Sequence, residues 1–327
     1  MSALEWRDWS CAVRVVLADG LPATAAPVPA LATRVERAVR TLMDDVALSA
    51  SRFRGDSDLA RVNERAGRLV PVRPLTVELV QVALEAARAT HGACDPTVGR
   101  HLLAAGYVAD IDELRAPGGP HGSGAPPTPP AGARPAPRAD HSAVRVDPDL
   151  VRVGVPAGLA LDLGATAKAW TADEAARRLH DLLGLPALVA LGGDVAVSGP
   201  RTGPGTGPTE GRPWPVLVSE RADEPGEVVD LLRGGVATSS TRARRWQTTD
   251  GERHHLIDPR VGRPTDGAVR TATVLGTTCV EANTFSTAAL VWGDEAAARL
   301  GGRPARLVRA DGTVLTTATW PHREVAA

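Results

Sequence analysis

The sequence predicts an α+β fold. Strand-like and helix-like stretches both recur in the 327 residues, but without regular βαβ alternation. Glycine turns join short apolar runs as hairpins. No repeat of fixed period accompanies them.

Residues 12–18 (AVRVVLA) are branched and alternating, as in a strand. Leu31, Val35, Ala38, Val39, Leu42, Met43 and Val46 then mark one face of a helix. In SRFRGDSDLARVNERAG, Ser57 is placed to cap a short helix and Gly67 to stop it. A second amphipathic helix is expected over 74–91, carrying Leu79, Val80, Ala83, Leu84, Ala86 and Ala87. It runs into GACDPTVGRHL, where Asp95, Pro96 and Gly99 make a turn. Asp95 and Thr97 offer an acceptor and a hydroxyl there; the plain alternative is an Asp-Pro turn whose carboxylate bonds its own backbone. Short strands are expected at 143–146 and 151–155.

Next comes LDLGATAKAWTAD. Its apolar start reads as a strand end, Gly164 permits a tight turn, and a helix is expected from Ala165 to Leu183. A strand exit, a glycine turn and a helix start gather unpaired backbone N–H groups that favour anions, phosphate especially. Lys168 adds a movable positive charge in the first turn. Asp162 is placed to hold a base, a ribose or a lysine. The plain alternative is a glycine-terminated strand entering a surface helix.

ALVALGGDVAVSG reads as a hairpin turning at Gly192 and Gly193. Strands are expected at 216–219 and 227–232. GGVATSSTRARRW follows as a hydroxyl-rich turn with Arg242, Arg244 and Arg245 behind it. HHLIDPRVGRPT suggests a short strand ending in an Asp-Pro turn. A strand at 271–276, a helix at 281–300 and a hairpin of 305–309 with 314–317 complete the chain.

Two composition breaks interrupt this order. Residues 116–143 hold eight prolines and five glycines, too many to build a core. They are expected to be a disordered insertion within one domain spanning 1–327, because strand signals resume at once. Residues 199–215 are expected to be a Pro/Gly-rich loop; their glycines lack the strand-to-helix setting of a dinucleotide fingerprint.

Composition narrows the function. Hydrophobic residues make up 43% of the chain but aromatics only 3%, so a core of small aliphatics is expected. A net charge of −1 argues against a general nucleic-acid or membrane-surface binder. Cys11, Cys94 and Cys279 are far apart, which argues against a disulfide framework or thiolate zinc site. No apolar run is long enough for a membrane span, and the first residues lack a signal-like apolar region. A soluble, cytoplasmic protein is expected. Walker-type phosphate loops, HExxH helices and GxSxG elbows are absent from the sequence. Phe53, one of two phenylalanines, is either a core anchor or a stacking face for a planar ligand.

SRFRGDSDLARVN, CDPTVG, LDLGATAKAWTAD, ALGGDVAVSG, GVATSS, HHLIDPRVGRP and EANTFSTAAL stand in this order over residues 9–300. Together they resemble the ApbE-type FAD:protein FMN transferases. The resemblance implies a T-fold-like α+β domain, with mixed or antiparallel sheets and packed helices. It also implies that FAD and Mg²⁺ are bound and that FMN passes to a threonine of an acceptor flavoprotein bearing a DGxT-like motif, with release of AMP.

By the same resemblance, Mg²⁺ would be held by the Ala165 carbonyl and by Asn283 and Thr287, with Ser286 adjacent. Asn283 and Thr287 are four apart, so one helix face carries both. The family usually has aspartate where this chain has Asn283; the amide still offers an oxygen but removes one charge. His255 resembles the histidine near the scissile diphosphate, with Asp258 orienting it or acting beside it. The flavin contacts implied are Phe53, the turn Ala93, Cys94 and Asp95, then Asp162, Lys168, Ser239, Ser240 and Ile257. Trp9-Ser10-Cys11 stands where relatives have Met-Gly-Thr, and Trp9 could stack on a ring. Two other readings stay open: an FAD pyrophosphatase releasing FMN and AMP, and a flavin-binding protein without catalysis.

Overall fold

The structure is a computed structural model describing residues 2–18, 28–116, 136–201, 211–221, 224–248 and 251–321. Its centre is an eight-stranded antiparallel sheet, and the expected α+β class is what it has. The strands are β1 (Ser2–Asp8), β2 (Cys11–Leu17), β3 (Ala187–Leu191), β4 (Asp194–Val197), β5 (Gly234–Ser240), β6 (Val269–Gly276), β7 (Ala305–Arg309) and β8 (Val314–Thr316). They lie side by side in chain order, every neighbouring pair antiparallel.

Five helices matter for the site: α1 (Val28–Ala50), α2 (Asp58–Glu64), α3 (Pro74–Ala89), α4 (Ala167–Leu183) and α5 (Cys279–Trp292). The first four are inserted between β2 and β3, and α5 between β6 and β7. Strand alternation divides the core. Val13, Val15 and Leu17 of β2 point into a cluster with Val35, Leu42, Leu79, Ala172 and Leu179 of the helices. Val16, one residue out of step, points to the opposite face, against Trp214 and Leu231 of the hairpin Trp214–Val218 with Glu227–Leu231.

Most expected elements form, with boundaries that local chemistry explains. Ser57 caps α2 by accepting the Ala60 N–H at 3.0 Å, and α3 starts with Pro74 at its first position. The Gly192–Gly193 hairpin joins β3 to β4, with Gly192 at φ +64°. Gly193 must lack a side chain, since a Cβ there would lie 2.9 Å from the Thr238 carbonyl oxygen. The helix expected over 281–300 is instead two helices: α5 stops at Trp292, where Gly293 takes φ +59°, and Ala296–Leu300 forms a separate short turn. Strand β1 was not expected; it joins β2 through Trp9 and Ser10, both at positive φ, and the stretch expected as a hydroxyl-rich turn is instead strand β5, paired on both sides.

Residues 117–135 and 202–210, the bulk of both composition breaks, lie outside the described residues. The expected insertion is nevertheless ordered from residue 136. Asp95 accepts the His141 backbone N–H at 3.1 Å and its other carboxylate oxygen binds Thr97, tying residues 140–143 to the body. The loop expected to end at 215 gives way earlier to strand, because Trp214 is buried and donates its indole N–H to the Gly199 carbonyl. Among the described residues no helix is long and apolar enough to cross a membrane.

Candidate active site

Three early motifs meet at the exit of residue 161. Asn63 grips both backbone groups of Leu161, donating to its carbonyl at 2.9 Å and accepting its N–H at 2.7 Å. The Asp162 N–H donates to the Pro96 carbonyl at 2.7 Å. The turn after it is held by Asp162 Oδ1, which accepts the Gly164 N–H at 2.9 Å. Ala165 sits in that turn, three residues before Lys168.

A cluster of oxygens forms where α5 crosses the end of β5. Asn283 and Thr287 share a helix face, and Thr287 Oγ1 lies 3.3 Å from Asn283 Oδ1. Ser239 Oγ is 2.8 Å from Ser286 Oγ and 3.1 Å from Thr287 Oγ1. Asn283 Nδ2 donates to Asp194 Oδ1 at 2.5 Å, and Lys168 Nζ lies 3.3 Å from Asp194 Oδ2. Asn283, Ser286, Ser239 and Asp194 are all buried. Buried polar groups persist only where paired, and these pair with one another.

Asp173 sets the register between α4 and α5. Its carboxylate accepts the N–H groups of Cys279 and Val280 at 2.9 and 3.0 Å, so one helix caps the other. Burial outweighs these bonds and pushes its pKa up to about 6. The native state therefore holds a proton between about pH 4 and 6 that the unfolded chain has released, and this group's contribution falls as pH rises through that window. The loss amounts to up to about 3 kcal/mol. In urea titrations from pH 4 to 7, the wild type should lose stability relative to Asp173→Asn as pH rises through that window; parallel curves would refute the assignment.

The second cluster is aromatic and cationic. Arg52 donates through Nε to Asp162 Oδ2 at 2.6 Å and through Nη1 to the Tyr107 carbonyl at 2.7 Å. Its guanidinium lies 4.3 Å from the Phe53 ring centroid and 4.5 Å from that of Tyr107. Tyr107 stacks on Trp246 at 4.9 Å, while Phe53 remains partly exposed at its edge. Arg244 Nη1 reaches the Tyr107 hydroxyl at 3.4 Å, and the His255 ring is 6.5 Å from that of Tyr107. The His255 Nδ1 atom is sealed from solvent without a hydrogen-bond partner. Burial, then the charges of Arg244, His254 and Lys168, hold its pKa well below the usual imidazole value. Lys168 and Arg244 also both act on Cys11, whose thiol burial pushes up. The charges of Lys168, beside the oxygen cluster, and of Arg244, beside the aromatic cluster, thus both act on His255 and Cys11.

Several expected residues are placed differently. Asp258 does not orient His255; its carboxylate is held by Arg260 through Nε at 2.9 Å and Nη2 at 2.7 Å, two residues away. Ser240 points to the opposite face from Ser239, bonding Thr271 Oγ1 at 2.9 Å, as strand alternation requires. Ala93 packs into the core with Phe285 and Ala288, and burial pushes the Cys94 thiol up to about 12. Asp95 spends its carboxylate on Thr97 and on His141, whose Nδ1 is 2.9 Å away. That turn therefore offers a ligand its backbone rather than its side chains. Ile257 lies behind the aromatic cluster with Tyr107 and Trp246. Trp9 is half-buried against the main core.

Sequence reasoning passed over Tyr107, Trp246, Asp173 and Asp194, and gave Arg52 and Arg244 no function. Tyr107 is the sole tyrosine, a signal in a chain so poor in aromatics. A separate cleft of about 650 Å³ is lined by Glu220, Glu224, Arg242, His254 and Arg270. Its charges neutralise one another, with Arg270 2.6 Å from Glu220 and Arg242 3.0 Å from Glu224.

Among the described residues no group of three or more His, Cys, Asp or Glu could hold a metal. The oxygen cluster offers an amide, hydroxyls and one carboxylate, hard donors that suit Mg²⁺ better than zinc. Asp194 Oδ2, buried and without a hydrogen-bond donor, fits such an ion.

The family model described as "ApbE family" matches residues 9–307. The chain belongs to the ApbE family. An FAD:protein FMN transferase of Klebsiella pneumoniae (strain 342) is 30% identical over 265 residues, covering 78% of this chain and 69% of that protein. One from Salmonella typhimurium is 28% identical, covering 81% and 73%. Among solved structures, the ApbE protein of Thermotoga maritima superimposes with a TM-score of 0.79 at 24% identity, covering 97% of both chains. The apo flavinyl transferase ApbE of Pseudomonas stutzeri gives 0.74 at 22%, covering 97% of this chain and 94% of that one. The large antiparallel sheet with packed helices is thus the ApbE fold.

Proposed function

We propose that this enzyme transfers the FMN half of FAD to a threonine hydroxyl of an acceptor flavoprotein in a Mg²⁺-dependent reaction. Its standing as an FAD:protein FMN transferase rests on family membership. The cation and the threonine are the finer steps proposed here. One observation carries them: Asn283, Thr287 and Ser239 gather hard oxygens, Asn283 against the Asp194 that Lys168 pairs with, and the charge of Lys168 helps keep His255 neutral.

In this reading the acceptor hydroxyl attacks the phosphorus on the FMN side of the diphosphate. The P–O bond to the AMP phosphate breaks, AMP leaves with that oxygen, and the hydroxyl proton passes to the imidazole of His255. Mg²⁺, held by Asn283, Thr287 and the Ala165 carbonyl with Ser286 adjacent, would neutralise diphosphate charge. Lys168 and Arg244 add positive charge for the phosphates. Phe53 presents a half-exposed ring for a planar group. Arg52 fixes that ring's position, and Asp162 fixes Arg52. We place the reaction in the cytoplasm, with an acceptor facing that compartment.

The test is to incubate the full chain with FAD, Mg²⁺ and a domain carrying a DGxT-like segment. Mass spectrometry should find FMN added to the acceptor threonine, and chelation of Mg²⁺ should stop it. Free FMN and AMP with an unmodified acceptor would mean hydrolysis; intact bound FAD would mean a carrier. Either result overturns the proposal.

A further inference from the structure

We propose that Asp194 is a ligand of the cation site, supplying the negative charge that Asn283 lacks, and that Lys168 holds this carboxylate until a divalent ion displaces it. This rests on the Mg²⁺-dependent reading above, and its test measures binding rather than transfer.

The Asp194 side chain is 2% exposed. A carboxylate so buried needs a counter-charge. Its Oδ1 takes the Asn283 amide at 2.5 Å. Its Oδ2 accepts no hydrogen bond and has only the Lys168 ammonium, 3.3 Å away. Half of a buried carboxylate is thus held by charge alone. Lys168 keeps 22% of its side chain exposed, and its four-carbon stem can carry the ammonium outward.

Asp194 also decides which way the amide of Asn283 faces. An ionised carboxylate only accepts hydrogen bonds, so the NH₂ end must turn to Asp194. The carbonyl end then faces Thr287, with Oδ1 3.3 Å from Oγ1. One charge is shared between positions 194 and 283. With aspartate at both, two carboxylates would meet at hydrogen-bond distance, which is unfavourable until a cation joins them. The asparagine therefore moves the site's charge to Asp194 instead of abolishing it. Asp194 reaches this point because the Gly192–Gly193 turn starts β4 there, with Asp194 paired across to Ala237 of β5.

Mn²⁺ is the probe, its binding to the full chain followed by electron paramagnetic resonance without flavin. Asp194→Asn should weaken binding at least tenfold. Asn283→Asp should tighten it, while lowering the melting temperature without metal. Lys168→Met should tighten it several-fold, since the ion no longer competes with the ammonium. The exchange of both, Asp194→Asn with Asn283→Asp, should return affinity to within a few-fold of the wild type. Unchanged binding in Asp194→Asn, weaker binding in Lys168→Met, or no Mn²⁺ binding by the wild type would each overturn the proposal. Circular dichroism checks that each variant folds; if Asp194→Asn does not, the Lys168→Met result decides. FMN transfer in the same preparations separates the two readings. Transfer with unchanged Mn²⁺ binding in Asp194→Asn sinks this inference alone, and the expected binding with an unmodified acceptor sinks the proposed reaction alone.

Discussion

Replacing His255 with alanine is expected to lower FMN transfer by about 10²–10⁴-fold while FAD binding stays within a few-fold of the wild type. The imidazole is neutral at neutral pH, because burial and the charges of Arg244, His254 and Lys168 oppose its protonation. A base must be unprotonated before it acts, and this one already is. Its Nδ1 lacks any partner inside the protein. Asp258 is engaged by Arg260.

The pH dependence follows from the same cause. Transfer should stay flat as pH falls through about 6.5, the ordinary imidazole value, and decline only below it. The ring's own contribution to stability should also fall below about pH 6.5, opposite in sign to that of Asp173, because the unfolded chain takes up a proton that the native ring refuses. Flavin fluorescence measures binding and mass spectrometry measures transfer. A fully active His255→Ala enzyme would end this role for the residue.

The second large effect is expected on stability. Asp162→Ala should cost about 3–5 kcal/mol in urea unfolding, the usual loss when one member of a buried ion pair is removed. Arg52 and Asp162 keep only 8% and 16% of their side chains exposed. Without Asp162 the guanidinium would remain wedged between Phe53 and Tyr107, bonded only to the Tyr107 carbonyl. The Gly164 turn would lose its acceptor as well. Asp162→Asn keeps an acceptor and should cost less. Adding Arg52→Met to Asp162→Ala should recover part of the loss, since no buried cation is then stranded. A loss under about 1 kcal/mol for Asp162→Ala would mean that the pair behaves as if it were at the surface.

Much of the fold was legible because its signals are local. The helix α3 shows its apolar face in a 3.6-residue period and its start in Pro74. The β3–β4 hairpin shows itself in two glycines between apolar runs. β1 was missed: it is a half-exposed edge strand with no fully buried residue among Ala3–Asp8, and its turn uses Trp9 and Ser10 rather than glycine. At the site, Asn283 and Thr287 could be paired from their spacing alone. The resemblance implied that Asp258 orients His255 or acts beside it, yet Arg260 is nearer along the chain and carries the fork that a carboxylate prefers.

By itself the sequence determined the α+β class, most element positions and, through seven ordered motifs, the family. Tertiary structure alone decided which side chains meet. Arg52 finds Asp162 across 110 positions, and Asn283 finds Asp194 across 89. Periodicity and turn chemistry act within a few residues, so short windows record them. Contacts between distant segments exist only once a sheet has closed the long loops between them, and no short window records that closure.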